Sequence, residues 1–425
     1  MTGFTAKNGT LFVDDVPCQK IAEAEGTPCY VYSAAKITSQ YKLMADALTR
    51  NWQGKGTPLI AFACKANSNL AVMRLLGSLG AGADVVSIGE VRRALIAGIP
   101  ADRIVFSGVG KTREELKEAL QLGVHQINVE TAGEIDVLIE LARENGRKAP
   151  VAFRYTPNVE QNTHAKTATG DEDKKFGLLE EELVELYARA AASGHIDTRG
   201  LSVHIGSGAS PDDMEPFREA FKKVAALINR LRSNGQSVTV ADLGGGLGVP
   251  YRDEPVCDVD AYAKMINEIF SALDVSIAFE PGRFLVAEGG ALLTRITYIK
   301  DRPARRFVIV DAGMNDLIRP TLYEAYHPIV PVEPAPGAAV LSDIVGPVCE
   351  SGDYFALERS LPPVAPGAVL AIQVAGAYGS VMSSHYNARP FATEVMVKDG
   401  TWDVVRKRQK TEDIWQNEAI PGWLK

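Results

Sequence analysis

Cysteine is scarce and scattered in this chain. Cys18, Cys29, Cys64, Cys257 and Cys349 are an odd number, widely spaced and without a CxxC pair. That pattern argues against a disulfide framework and against a zinc site, so a special cysteine here would be special through its reactivity. No run of about eighteen uninterrupted apolar residues occurs, so no membrane association is expected. The opening MTGFTAKNGTLFVDD lacks a basic flank followed by an apolar core, and the reading is a cytoplasmic protein. Clusters of Lys and Arg are also missing. With 45 basic against 53 acidic residues and a formal net charge of -8, a general nucleic-acid binder is disfavoured, while local sites for small anions remain open. There is no fixed-period repeat and no low-complexity tract. What is present is an ordinary globular composition, 46% hydrophobic and 23% charged, in 425 residues, enough for roughly two or three domains.

From Leu59 onward, short apolar runs alternate with longer amphipathic ones. The strand candidates are LIAFAC (59 to 64), ADVVS (83 to 87), RIVFSG (103 to 108), QINVE (126 to 130), VAFRYT (151 to 156), LSVHIG (201 to 206), VTVADLG (238 to 244) and SIAFEPG (276 to 282). Helical patterns lie between them, several ending in Gly. Eight strands alternating with helices predict a (β/α)8 TIM-like barrel over 36–285, whose active site forms at the C-terminal strand ends. Those ends carry Lys65, Asp84, Ser107, Asn128, Arg154, His204 with Ser207, Gly244 to Gly246, and Glu280 with Arg283. So many polar groups aimed at one barrel mouth are hard to explain as scaffolding. After residue 286 the texture changes to strand-like runs separated by turns such as PVEPAPGA, which predicts an antiparallel β domain over 286–425. GTLFVDDVP and PCYVYSA also read as strands, so residues 1–35 are expected to join that C-terminal sheet, and Ser33 to Asn51 reads as the first helix.

Lys65 ends a buried strand, where burial disfavours an ammonium. It either has a partner or is a nucleophilic amine of the kind Schiff-base chemistry requires. The segment SGVGKT (107 to 112) is not a phosphate-binding P-loop, because Val105 stands where that motif needs glycine. GGGLG (244 to 248) departs from the dinucleotide pattern at Val249. Three glycines at a strand end still permit close approach of a phosphate, and loops after the seventh and eighth strands of a barrel often hold one. His204 would then lie as a flat ring over a cofactor with the Ser207 hydroxyl near its phosphate, and Glu280 would keep a pyridine nitrogen protonated.

Taken together, CKANSN around Lys65, HIGS (204 to 207), GGGLG (244 to 248), EPGR (280 to 283), CESGD (349 to 353) and AGAYG (375 to 379) resemble the diaminopimelate decarboxylases, pyridoxal-phosphate enzymes of the alanine-racemase-like fold type III class. The resemblance covers nearly the whole chain in order. It implies that Lys65 forms the internal aldimine with pyridoxal 5'-phosphate. His204 would stack on the ring and Glu280 would pair with its nitrogen. Ser207, Gly244, Gly245, Gly246 and the backbone around Gly282 and Arg283 would hold the phosphate, with Asp84 and Tyr378 also at the cofactor. Substrate-binding residues would be Arg283, Arg319, Tyr323, Glu350 and Tyr378. Cys349 would be the proton donor, supplied with Glu350 by the other subunit of a homodimer with shared active sites. No metal is implied. The expected reaction is decarboxylation of meso-2,6-diaminopimelate to L-lysine and carbon dioxide, last in lysine biosynthesis by the diaminopimelate route. The alternatives are decarboxylation of another basic amino acid or of carboxynorspermidine, or a catalytically silent pyridoxal-phosphate binder. Arginines facing a distal carboxylate and a glutamate facing a distal ammonium suit a substrate with a second amino-acid head.

Overall fold

In a computed structural model, which describes residues 3–159, 175–207 and 213–424, the chain forms two units. One is Ile37–Leu285 and the other joins Met1–Lys36 to Val286–Lys425.

The first unit is a closed barrel of eight parallel strands in chain order: Leu59–Ala63, Gly82–Val85, Ile104–Phe106, Gln126–Val129, Ala149–Tyr155, Ile196–Val203, Val240–Asp242 and Ser276–Phe279. Closure is made by the eighth strand pairing with the first, Ala278 opposite Leu59 and Phe279 opposite Ile60. Most of these strands read as continuous apolar runs rather than alternating ones because both faces are covered, the inner by the barrel core and the outer by helices. Phe62, Phe106, Phe153 and Phe279 are fully buried there. Helix starts follow local chemistry. Asn69, Ser87, Thr112, Thr131 and Asp258 each accept a first-turn N–H with their side chains, and Thr112 completes a reciprocal capping box with Glu115. All of these caps but Asp258 come within six residues of a strand end, which pins those strand ends beside the site.

The second unit is built on a sheet in the order Tyr354–Leu361, Val340–Val345, Arg306–Val310, Gly290–Asp301, Cys29–Ser33, Thr393–Lys398, Thr401–Arg406. Val369–Ile372 pairs with Gly290–Asp301 and with Ile329–Pro331. Most pairings are antiparallel, as expected for this region. Two are parallel: Arg306–Val310 with Val340–Val345, and Cys29–Ser33 with Thr393–Lys398. Each joins strands separated by a long connection, which is what a parallel pair requires. The connection 311–339 carries the short helix Arg319–Tyr323. The N-terminal segment contributes in two ways. Cys29–Ser33 enters the large sheet, while Phe4–Lys7, Thr10–Val13 and Val16–Pro17 make a small sheet of their own. Between them lies a helix, Cys18–Glu25, that burial of Cys18, Ile21 and Ala22 stabilises. Eight residues are too few for its period to stand out in the sequence. Phe4, Val13, Ile21, Val31, Leu293 and Val395 share one hydrophobic core.

Candidate active site

Each barrel strand delivers a polar side chain to the mouth. Lys65 sits on the turn Cys64–Ala66 immediately after the first strand, and Asp84 lies in the second. Their side chains meet, Lys65 Nζ donating to Asp84 Oδ2 at 2.6 Å. Asp84 is fully buried and its Oδ1 has no hydrogen-bond partner among the described residues. A carboxylate buried beside an amine favours the charged pair, so the odd lysine at the end of an apolar strand does have a partner. A cavity of about 180 Å³ opens beside it, lined by Lys65, Ser107, Asn128, Arg154, His204 and Glu280 among others.

His204 is held by its neighbours in one tautomer. The Gly245 N–H donates to Nδ1 at 3.3 Å, so Nδ1 is an acceptor and the ring proton sits on Nε2. Burial holds the imidazole well below its ordinary range, and the positive charges of Lys65 and Arg154 push the same way. The ring is therefore neutral, and it lines the cavity. Glu280 has the opposite perturbation. Burial, then the charges of Asp242 and Asp84, hold its carboxyl well above the usual range, opposed by Lys65. Ser107 Oγ and Asn128 Nδ2 both donate to its Oε1, at 3.2 and 3.1 Å.

The glycine turn after the seventh strand is dictated by backbone proximity. A Cβ on Gly244 would stand 2.2 Å from the Val203 carbonyl oxygen, one on Gly245 2.3 Å from that of Glu280, and one on Gly246 2.6 Å from that of Gly206. No side chain fits at any of the three. Two of their N–H groups are already used, Gly244 donating to Asp242 Oδ1 at 3.1 Å and Gly245 to His204. Gly244 and Gly245 thus shape the turn, and Gly246 is the member whose amide is not spent on these contacts. Beside it, Arg283 Nη2 donates to Ser207 Oγ at 3.2 Å and Nη1 to the Tyr251 hydroxyl at 2.8 Å. Gly282 packs against the Lys65 turn, where an added Cβ would meet those of Ala66 and Ala63 at 3.0 and 3.1 Å.

The remaining candidates lie in the second unit, where the helix bearing Arg319 and Tyr323 meets the loop bearing Cys349 and Glu350. Arg319 and Tyr323 begin and end one short helix, and Thr321 Oγ1 between them donates to the Gly352 carbonyl at 2.6 Å, tying that helix to the loop bearing Cys349 and Glu350. Arg319 is buried and donates from Nη1 to His327 Nε2 at 2.8 Å. Nδ1 of His327 faces the Gln373 carbonyl at 2.9 Å. The 349–353 loop is fixed by Asp353, whose carboxylate accepts the N–H groups of Met314 and Val348 at 2.6 Å each. Glu350 accepts a short hydrogen bond from the Tyr386 hydroxyl. Cys349 is exposed, whereas the other four cysteines are buried. Burial pushes Cys18, Cys29 and Cys257 up to about 12 and Cys64 well above the usual thiol range, leaving Cys349 as the one accessible thiol. Tyr378 has φ +56°, a left-handed conformation that costs a tyrosine roughly 1–3 kcal/mol and persists at sites that use it.

Sequence reasoning missed Asp242, Tyr251, His327 and Tyr386. Asp242 had a local signal, an acid inside an otherwise apolar strand. The other three are brought in only by tertiary proximity.

Among the described residues there is no cluster of three or more His, Cys, Asp or Glu side chains that would hold a metal ion, and no helix is long and apolar enough to cross a membrane. The groups at the barrel mouth do fit pyridoxal phosphate. They supply an amine, a protonatable carboxyl, a flat neutral ring and a side-chain-free turn beside Ser207 and Arg283. Comparison with known proteins agrees. Residues 34–287 match the pyridoxal-dependent decarboxylase family, pyridoxal binding domain. The diaminopimelate decarboxylase of Zymomonas mobilis is 47% identical over 100% of both chains. The structure of the Helicobacter pylori diaminopimelate decarboxylase complexed with L-lysine matches with TM-score 0.90 and 41% identity, over 94% of this chain and 99% of that one. That of the M. jannaschii enzyme in co-complex with L-lysine matches with TM-score 0.93 and 36% identity over 100% of both. An identity this high over the full length, together with the family match across the barrel, places this chain in the pyridoxal-dependent decarboxylase family, among the diaminopimelate decarboxylases.

Proposed function

We propose that this chain decarboxylates meso-2,6-diaminopimelate to L-lysine and carbon dioxide, using pyridoxal phosphate bound through Lys65. The observation that carries the reading is the ring of polar strand ends around one cavity, lined by both the Lys65 amine and the buried Glu280 carboxyl. When bound, the cofactor supplies a protonated pyridine ring that draws electrons from the substrate Cα. The chain's residues do the rest. Lys65 would hold the cofactor covalently, with Asp84 positioning its amine. His204 would lie against the ring and Glu280 would pair with its nitrogen. Ser207, Arg283 and the Gly246 amide would hold the phosphate beside the turn formed by Gly244 and Gly245, with Gly282 packed against the Lys65 turn, and Tyr378 is the further residue assigned to the cofactor.

Specificity follows from charge. Arg319, Tyr323 and Arg283 bind the distal carboxylate of the substrate, and Glu350 binds the distal ammonium. Ornithine and arginine carry no distal carboxylate and would forgo the charge-assisted hydrogen bonds that Arg283 and Arg319 offer one. Cys349 donates a proton from Sγ to Cα after carbon dioxide leaves. Its exposure, and that of Glu350, suit a two-fold homodimer in the cytoplasm, in which the partner subunit's Cys349 completes each site. The direct test offers the purified protein meso-diaminopimelate, L-lysine, L-ornithine and L-arginine with pyridoxal phosphate. Lysine from diaminopimelate alone is expected, and turnover of ornithine in its place would contradict the assignment.

A further inference from the structure

The SGVGKT segment fails as a phosphate loop, yet it carries a lysine that the proposed reaction does not use. Lys111 lies between the third barrel strand, Ile104–Phe106, and the helix Arg113–Leu122. Its side chain is wholly buried and does not line the cavity. Burying an ammonium is costly unless its charge is compensated. Here Nζ pairs with Glu134 Oε1 at 2.7 Å, donates to the Asn128 carbonyl at 2.9 Å and makes a short hydrogen bond to the Gly108 carbonyl. The Phe106 ring centroid lies 5.8 Å from Nζ. Glu134 is buried in the first turn of the helix Ala132–Asn145, and its Oε2 accepts the Glu130 N–H at 2.8 Å, so the partner of the ammonium is itself held in place.

The two carbonyls that Lys111 joins belong to neighbouring strand ends. Between the third and fourth strands the pairing runs Val105 opposite Gln126 and Phe106 opposite Ile127, and ends there. The next residues are Ser107 and Asn128. Ser107 is tied to the second strand through its N–H on the Val85 carbonyl at 2.8 Å, and Asn128 pairs with Ala152 of the fifth, but the backbone ladder does not join the two to each other. Yet their side chains must act together. Ser107 Oγ and Asn128 Nδ2 donate to the same oxygen of Glu280, Oε1, at 3.2 and 3.1 Å, and Asn128 Nδ2 also donates to Ser107 Oγ at 3.1 Å. Where the ladder stops, the carbonyl of Asn128 and that of Gly108, one residue past Ser107, converge on a single Nζ. An apolar side chain could fill the same space but could not bind two carbonyls.

We infer that Lys111 is a positioning residue: by joining the Gly108 and Asn128 carbonyls on one ammonium, it sets the spacing at which Ser107 and Asn128 deliver two donors to one oxygen of Glu280. This rests on the reading of Glu280 as the partner of the cofactor nitrogen. Lys111 acts on the cofactor only through Ser107, Asn128 and Glu280, and Glu134 keeps its charge tolerable in the interior.

The test is a double-mutant cycle on cofactor affinity in the full chain. Lys111→Met alone would leave Glu134 buried and unpaired, so both charges are removed together, Lys111→Met with Glu134→Gln, in the wild type and in Asn128→Ala. Fluorescence titration with pyridoxal phosphate should show this charge-free pair raising the cofactor Kd about tenfold in the wild-type background. In Asn128→Ala, where the donor that Lys111 aims is already gone, the rise should be less than about twofold. In the wild-type background kcat should fall with KM for diaminopimelate unchanged, because Glu280 is assigned to the cofactor and not to the substrate. An equal loss of affinity in both backgrounds, or none in the first, overturns this inference, since a merely structural ion pair would act independently of Asn128. Wild-type affinity and turnover in Glu280→Gln would overturn the reading of Glu280 beneath it instead. If the charge-free pair does not fold, Asn128→Ala alone decides: it should raise the Kd about tenfold, and wild-type affinity would mean that Lys111 has nothing there to position.

Discussion

In the proposed mechanism single side chains divide the work between binding the cofactor and moving the proton, and substitutions should separate the two. Cys349→Ala should keep the Lys65 adduct and lose turnover by about 10²- to 10⁴-fold, the usual worth of a positioned proton donor. Trapping the adduct and assaying lysine release in the same preparation checks both halves, and full activity would show that another acid protonates Cα. His327→Phe removes the acceptor that orients Arg319. It should raise KM for diaminopimelate about tenfold, the value of one charge-assisted hydrogen bond, with the adduct unchanged. Steady-state kinetics read this directly, and an unchanged KM would mean that Arg319 is oriented without His327. At this scale the shared placement of Lys65, His204 and Glu280 at one cavity was legible in the sequence, because a charge or a flat polar ring at the end of an apolar run has few bland uses. Asp242 was not, since the glycines that follow it claimed the role of that strand end. His327 and Tyr386 act through residues distant from them in the chain, and no local pattern carries that.

Turns and strand ends set the geometry in which those residues act. Gly245→Ala drives a Cβ to 2.3 Å from the Glu280 carbonyl, so the turn must move away from both Glu280 and His204. Cofactor affinity should fall sharply and Tm should drop. Gly110→Ala, where nothing lies within 4 Å of the new Cβ, should do neither. Fluorescence titration with pyridoxal phosphate and a melting curve on each variant compare the two. In the second unit, burial raises the Asp316 carboxyl to about 6 while its Oδ2 accepts the Gly313 N–H. The folded chain therefore binds this proton more tightly than the unfolded chain, whose value lies near the ordinary ~3.9. The stability it contributes is present below about pH 4 and lost by about pH 6, up to ~3 kcal/mol. Asp316→Asn should gain on the wild type by that order between pH 4 and 7 in denaturant titrations, and a constant difference would contradict the sign. The eight barrel strands were visible because strand–helix alternation repeats. The parallel pairings in the second sheet were not, because the register of strands far apart in sequence depends on where long connections return.

At the scale of the whole molecule, the proposal assigns the cofactor to the barrel and the thiol and substrate-binding charges to the sheet unit, and the proposed dimer makes each site a joint product of two chains. Mixing Lys65→Ala with Cys349→Ala, each inactive alone, should restore about a quarter of wild-type activity if mixed dimers form at random, since half of the dimers would then hold one intact site. No recovery after verified subunit exchange would mean that both residues act in the same chain. The two-part organisation was legible from the change of texture after residue 286, whereas the split of the N-terminal segment between a small sheet and the large one was not. Everything converges on Lys65, whose amine ends the first barrel strand against Asp84. Treating the protein with pyridoxal phosphate, reducing with borohydride and mapping the modified peptide by mass spectrometry tests that most directly. The account predicts a single pyridoxyl adduct on Lys65 that disappears in Lys65→Ala, and an adduct on another lysine, or none, would contradict it.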